Sequence, residues 1–585
     1  MQTLSLSPPG ELTNGLRGTA AVLAIALGLY SWLTPNHYHP WPSFHGQLGA
    51  AAAAALLAAM SFSDARSSEI RWPWLACVAA ALAVVPWLQY AGGMIFFSGD
   101  AWMASAYLAG FALALVVGRR VTARYGLPQV IEAGSGLVVA GALLSMWVAL
   151  NQWFFLSTLS VFAMELVPPG TRALANLGQP NLVALALTLG ALGALVLYER
   201  RRIGSAVSLM LVTFFALGVV MTQSRIGLVM WLVLPAWIAF SARRSRSEFR
   251  VTPMKIGLAM ICAASMLLVL PGLIDWRLSV TGESDARSLE TMVASGNRIR
   301  HWTAMLDAIS RAPWFGYGWN QVGSAQFLVA PDHPVTMEVL GDSHNLILDL
   351  LIHNGVPIGG LVALGLSYWM WVHLRAAKTP AQVVTMGAIL AFALHSMVEF
   401  PLNYLFFLLP CGLLMGAMSL QVPRQTAVPL PRWLAPVVLV VLVGLGALVV
   451  RDYFQAEAEM QSLRFEQNRI GRPLPRTFST DALILTQVAA FLQFADSRRD
   501  RDDLSPEDLA LVRKVAQRYP GWSVVSHCAG DLARNGRPQE AAEALKRICF
   551  THNTSDCNLA RLRWKIWSDK DQRIARVAFP PGPAQ

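Results

Sequence analysis

Long apolar runs separated by short basic segments fill the first 450 residues of the chain. They lie near 16–33, 45–62, 72–90, 101–118, 130–150, 180–198, 204–221, 226–240, 256–274, 355–373, 381–399, 403–420 and 433–450, thirteen in all. A helix needs about 20 apolar residues to cross a bilayer, and within lipid only a helix or a closed barrel satisfies its own backbone. Two stretches break the pattern, one at about 275–354 and one from about 451 to 585; both are polar and charged. The pattern predicts an all-α polytopic membrane protein with about 13 transmembrane helices, a large hydrophilic loop and a C-terminal helical domain. In "NGRPQEAAEALKR" (535–547), Gly536 and Pro538 end one helix and start the next, as in a single tetratricopeptide-like hairpin. The expected division is 1–274 for the first nine spans, 275–354 for the loop, 355–450 for the remaining spans and 451–585 for the tail.

Composition agrees: 55% of residues are hydrophobic, 14% are charged and the mean hydropathy is +0.45. Soluble domains carry about 25% charged residues. A net charge of +11 would suit a nucleic-acid partner, but the placement of the cations excludes that reading. With the N-terminus inside, the inner segments hold Arg17, Arg66, Arg71, Arg119, Arg120, Arg124, Arg200, Arg201, Arg202, Arg243, Arg244, Arg246, Arg250, Lys255, Arg375, Lys378, Arg424 and Arg432. The short outer loops hold only Arg172 and Arg225. This asymmetry sets the orientation, makes the lipid bilayer the partner and puts both polar stretches outside. Residues 1–15 are polar and the first run is long enough to stay as a span, so no cleavable signal peptide is expected. In an oxidising compartment the tail could pair Cys549 with Cys557 or Cys528 with Cys549, or keep free thiols.

The two outer arginines are exceptions to a strong rule. Arg225 lies in "MTQSRIGL" (221–228), a very short turn, where a guanidinium can snorkel to the interface or hold a phosphate in a two-point fork. Arg172 lies in "GTRALANLGQPN" (170–181). In "GNRIRHWTAMLDAISRAPWFGYGWN" (296–320), Arg298, Trp302, Met305 and Ile309 recur at helical spacing, which predicts an amphipathic helix on the outer leaflet, with Arg300 a further cation. "GDSHNLILDLLIHNGVPIGG" (341–360) predicts a helix from about His344 to Asn354, capped by Asp342 or Ser343 and stopped by Gly355. Asn345, Asp349 and His353 would form one polar stripe. His344, neutral at that helix start, can accept a proton. In "HSMVEFPLNYLFFLLP" (395–410), His395 and Glu399 share one helix face and either pair with each other or serve a substrate. No zinc spacing, nucleophile elbow or P-loop is present, so no metal, hydrolase triad or ATP is expected.

Taken in order, these segments resemble the O-antigen ligase and polymerase superfamily. "GDSHNLILDLLIHNGVPIGG" is similar to its His-Asn helix, "TQSRIGL" to its Thr-x-Ser-Arg turn and "NRIRHW…APWFGYGWN" to its Arg-x-x-x-Trp helix with a Pro-x-x-Gly-x-Gly end. "RALANLGQPN" (172–181), "HSMVEFPLNYLFFLLP" and "HCAGDLARNGRPQEA" (527–541) resemble the branch of bacterial protein O-oligosaccharyltransferases that glycosylate pilins. His353-Asn354 stands where a Glu often precedes the first Gly. The resemblance implies a GT-C-like enzyme of the inner membrane. It would move a glycan en bloc from undecaprenyl diphosphate to a Ser or Thr hydroxyl of a periplasmic protein such as a type IV pilin. It also implies no cofactor. Catalytic roles would then fall to Arg225 and Arg298 as cations, and to His344 as base, oriented by Asn345 or Asp342. Glu399 is a second base or a substrate contact. Arg300, Arg172, Gln179, Asn181, His395 and Asp342 would bind substrate.

Two other readings compete. An O-antigen ligase or polymerase would pass the glycan to lipid A–core sugar or to another lipid-linked glycan. A lipid-linked glycan transporter would line the membrane midplane with polar residues, whereas the candidates here gather at the outer face.

Overall fold

The computed structural model describes residues 9–63, 69–156, 159–160, 163–165, 172–245, 249–281, 298–422, 427–471, 481–496 and 501–582. Arg66, Arg246 and Arg424 of the inner segments lie outside the described residues. A helix forms at each of the thirteen apolar runs. Nine are long and apolar enough to cross a membrane, among them Phe44–Phe62, Ser98–Tyr125, Leu127–Phe154, Pro180–Glu199 and Leu434–Gln467. Four are shorter: Arg17–Leu33, Ser205–Met221, Pro380–Ser396 and Leu405–Met418. By length and composition alone, nine of the described helices qualify as crossings. The chain is a multi-pass membrane protein.

Packing divides the chain into two units that interleave along the sequence. The first comprises Met1–Ala80, Leu108–Ala294 and Tyr368–Val443. Glycine lets its helices close to backbone distance: a Cβ on Gly118 would stand 2.0 Å from Leu413 O, and one on Gly416 would stand 2.0 Å from Leu115 O. This unit also holds two short antiparallel strands, Glu69–Pro73 and Ala427–Pro431, with Arg71 opposite Pro429. No strand is expected from the pattern. Each has five residues and the second carries two prolines, so pairing across the fold, not local propensity, makes them strands.

The second unit comprises Ala81–Tyr107, Ser295–Ser367 and Gly444–Gln585. Its C-terminal part is helical, with Pro506–Arg518, Trp522–Arg534, Pro538–Thr551 and Thr554–Ser568 around buried Val512, Val525, Leu532, Leu545 and Trp564. The expected hairpin is there: Gly536 takes φ 74° between two of these helices and Pro538 starts the second. Arg518 forks onto buried Asp100 at 2.9 and 2.8 Å. Cys549 and Cys557 form the disulfide, while Cys528 stays a buried thiol whose pKa burial pushes up to about 12.

Candidate active site

In the first unit a carboxylate organises the site. The Pro380–Ser396 helix ends before Glu399, whose N–H donates to His395 O at 2.9 Å. Glu399 therefore occupies the turn that closes the helix, not a shared helix face, because Pro401 stops helical continuation. Its side chain is buried, and its two oxygens accept from Asn181 Nδ2 at 2.6 Å and Gln179 Nε2 at 3.1 Å. Both donors stand at the N-terminus of Pro180–Glu199, where the helix dipole favours an anion. Gln179 Oε1 is buried with no hydrogen-bond partner among the described residues. His395 is fully buried one turn back.

The Arg225 turn adjoins this segment. Thr222, Gln223 and Ser224 are buried, Gln223 takes φ 49°, and Ser224 Oγ caps the Arg225–Arg244 helix by accepting from Gly227 N at 3.2 Å. Arg225 is the first residue of that helix, so the cation and the dipole both favour an anion there. Two contacts join this turn to the Gln179–Asn181 segment. Ala173 N donates to Met221 O at 3.5 Å, and a Cβ on Gly227 would meet Ala184 Cβ at 3.0 Å. Arg172, Gln179, Asn181, Arg225, His395 and Glu399 thus belong to one neighbourhood of the first unit.

Sequence reasoning missed the residues that brace this segment. Asn176 Nδ2 donates to Leu33 O at 2.5 Å and Ala163 O at 2.8 Å, and its Oδ1 accepts from Glu165 N at 2.9 Å. Gln152 Nε2 donates to Ala175 O at 2.8 Å. Arg277 is buried over the Trp153 ring, 4.5 Å from its centroid. Asn176 sits inside "RALANLGQPN", which was the only available signal; Gln152 and Arg277 had none beyond polarity at the end of an apolar run.

In the second unit the Leu346–Ala376 helix starts two residues later than expected. Asn345, not Asp342 or Ser343, is the cap, its Oδ1 accepting from Ile347 N at 3.0 Å and Leu348 N at 3.2 Å. His344 precedes the cap at φ 54°, a left-handed conformation rare outside glycine. Asp342 Oδ1 holds it there, accepting its N–H at 3.0 Å and standing 3.4 Å from ring Nδ1. Asp349 Oδ1 accepts from Ser343 N at 2.8 Å. The expected polar stripe is thus spent on folding: Asn345 and Asp349 shape the turn, and His353 stacks on Trp319 at 4.7 Å between centroids.

The helix does not stop at Gly355. It kinks there at φ 72°, ψ 173°, and runs on. A Cβ at Gly355 would stand 2.3 Å from Trp314 O, and one at Gly316 would stand 2.2 Å from Ile352 O, so these two glycines let the "APWFGYGW" backbone lie on the kink.

The Arg298–Arg311 helix is amphipathic as expected, but its apolar face packs on protein, not on a lipid leaflet. Ala304, Met305, Ala308 and Ile309 pack in one buried cluster with Val322, Val329, Leu348 and Ile352. Trp302 Nε1 donates to Ser343 O at 3.0 Å, tying the helix to the His344 turn. Arg298 lies one turn from Trp302 on the same face, half-buried, while Arg300 is exposed two residues on.

Residues 209–363 match the O-antigen ligase family model, and residues 383–566 match that of the C-terminal region of a virulence-factor membrane-bound polymerase. The chain belongs to the O-antigen ligase superfamily. It is 29% identical over 438 residues to a general O-oligosaccharyltransferase of Acinetobacter baylyi, 74% of this chain and 75% of that one. It is 24% identical over 334 residues to a ComP-specific O-oligosaccharyltransferase of the same organism, 57% of this chain and 59% of that one. It is an enzyme of the glycosyltransferase class. The superfamily's ligase match contains Arg225, Arg298, Arg300, Asp342, His344 and Asn345; the polymerase match contains His395 and Glu399.

Proposed function

We propose that this protein transfers a preassembled oligosaccharide from undecaprenyl diphosphate to Ser or Thr hydroxyls of periplasmic proteins, with a type IV pilin as acceptor, at the periplasmic face of a bacterial inner membrane. Membership of the superfamily and the names of both relatives support protein O-glycosylation. The basic residues of the inner segments support the sidedness.

The observation that carries the chemistry is the Asp342–His344 pair. In the transfer the bond from the sugar's anomeric carbon to the diphosphate oxygen breaks, and a bond to the hydroxyl oxygen forms. The hydroxyl proton leaves, and negative charge collects on the lipid diphosphate. Asp342 Oδ1, 3.4 Å from Nδ1, favours the imidazolium that forms when Nε2 takes the proton. Arg298, one helical turn from the Trp302–Ser343 contact, supplies a cation for the developing diphosphate charge. In the first unit, Arg225 and Arg172 are two further cations of the kind a lipid diphosphate needs. Gln179 and Asn181 offer amides for sugar hydroxyls, and the buried Gln179 Oε1 is an acceptor of that kind. Glu399 holds both amides in place, since both of its oxygens are occupied. The leaving diphosphate drives the reaction, so neither ATP nor a nucleotide sugar takes part.

The test is purified protein in vesicles with an undecaprenyl-diphosphate-linked glycan and purified pilin, read by intact mass of the acceptor. The expected result is a mass gain of one whole glycan, lost with His344→Ala and strongly reduced with Asp342→Ala. Transfer only to lipid A–core sugar, or only glycan-to-glycan extension, would overturn the acceptor. Full transfer by His344→Ala would overturn the base.

A further inference from the structure

The first unit contains a groove of about 450 Å³ walled by Pro180–Glu199, Ser205–Met221, Arg225–Arg244 and Pro253–Thr281. That volume falls in the range of ligand pockets, about 300–1,000 Å³. Leu192, Leu195, Leu209, Leu234 and Ile238 make its wall apolar. A hydrogen bond from Trp231 Nε1 to Thr188 Oγ1, at 2.9 Å, lies toward one end.

The other end is cationic. Lys255 Nζ donates to Tyr198 Oη at 2.5 Å and to Arg250 O at 3.0 Å, and the Arg250 guanidinium covers the Tyr198 ring at 4.3 Å. Glu199 is the nearby anion, and its oxygens accept the backbone N–H groups of Arg250 at 3.1 Å and Val251 at 2.8 Å. Among the described residues no carboxylate pairs with Lys255 or Arg250. This end also carries Arg200, Arg201, Arg202, Arg243 and Arg244, which the charge asymmetry puts on the cytoplasmic side.

Only 6% of the most apolar window of Pro253–Val280, one wall of the groove, is buried within the protein. The groove therefore opens onto lipid. We propose that it binds one anionic phospholipid of the cytoplasmic leaflet, with an acyl chain in the apolar volume and the phosphate on Lys255 and Arg250. Basic pockets between membrane helices on this side suit anionic head groups. A zwitterionic head group would bring its own cation to a site that already has two. A polyprenyl diphosphate donor used at the outer face would carry its phosphates at the opposite end. The inference stands independently of the transfer reaction.

Native mass spectrometry of the full-length protein, titrated with phosphatidylglycerol or phosphatidylcholine, tests it. The wild type is expected to hold one phosphatidylglycerol in preference to phosphatidylcholine. Lys255→Gln is expected to weaken that binding on the order of tenfold, as loss of a charge-assisted contact implies. Lys255→Arg should retain it, and Leu209→Trp, which fills the groove without touching the charge, should weaken both lipids. Equal binding of the two lipids by the wild type would overturn the proposal. So would unchanged phosphatidylglycerol binding in both Lys255→Gln and Leu209→Trp, or its displacement by undecaprenyl phosphate equally from wild type and Lys255→Gln, which would assign the groove to the donor's tail.

Discussion

Removing the Glu399 carboxylate should disable transfer without unfolding the protein, and to a degree that depends on the replacement. Asn181 Nδ2 and Gln179 Nε2 donate to its two oxygens at 2.6 and 3.1 Å, and Glu399 itself is 4% exposed. In Glu399→Ala both amides lose their acceptor in a buried place. Each unsatisfied donor costs about 1–3 kcal/mol, so the segment bearing Gln179 and Asn181 loses about 2–6 kcal/mol of ordering. Glu399→Gln is milder. The new amide keeps an oxygen for Asn181, and Gln179 can turn its own amide over, because its Oε1 has no partner to give up among the described residues. Both bonds survive without charge assistance, at a loss of about 1–2 kcal/mol. If order in this segment limits transfer, the initial rate falls about 30- to 10⁴-fold for Ala and about tenfold for Gln, at 1.4 kcal/mol per decade. The assay is the initial rate of glycan transfer to pilin in vesicles at saturating donor, alongside the thermal midpoint. A wild-type rate for Glu399→Ala, or a Gln variant slower than the Ala variant, would refute the reasoning.

Further outcomes follow from the second unit. Gly355→Ala forces a side chain into φ 72° and 2.3 Å from Trp314 O, so stability should drop by about 2–5 kcal/mol in thermal or denaturant unfolding; an unchanged midpoint contradicts the contact. Cys549→Ser opens a disulfide closing an eight-residue separation, with an expected loss of about 2.5 kcal/mol by loop-closure entropy, whereas Cys528→Ser leaves the bridge intact in non-reducing peptide maps. Burial pushes the His527 imidazole down from 6.5 to about 4, with Arg501, Arg563 and Arg534 adding to it and a bond to Ser523 O opposing it. Its folded pKa lies below its unfolded value, so the stabilisation is complete above pH 6.5. It is lost as pH falls towards 4, by about 3 kcal/mol in all, and His527→Gln should flatten that part of the stability–pH curve of the full-length protein.

The helices were legible because their cause is local. Length and apolar content mark the thirteen runs, the spacing of Arg298, Trp302, Met305 and Ile309 marks one amphipathic helix, and Gly536 with Pro538 marks the hairpin. Local order also drew attention to Arg225, His344 and Glu399, each polar at the edge of an apolar run. Partner choice was a different matter. Ser343, Asn345 and Asp342 are all competent caps by type, and only the turn's geometry gave the cap to Asn345 and the His344 backbone N–H to Asp342. Two bridges were open to Cys549, and helix packing chose Cys557. Glycine at 355 reads as a stop, yet close contact with the Trp314 backbone turns it into a kink within a longer helix. Glu399 meets Gln179 and Asn181 across 220 and 218 residues of sequence. Periodicity fixes which face of a helix is apolar, but it carries no information over such distances. Which buried donor finds which acceptor depends on how whole helices pack, and that is settled only when the tertiary structure forms.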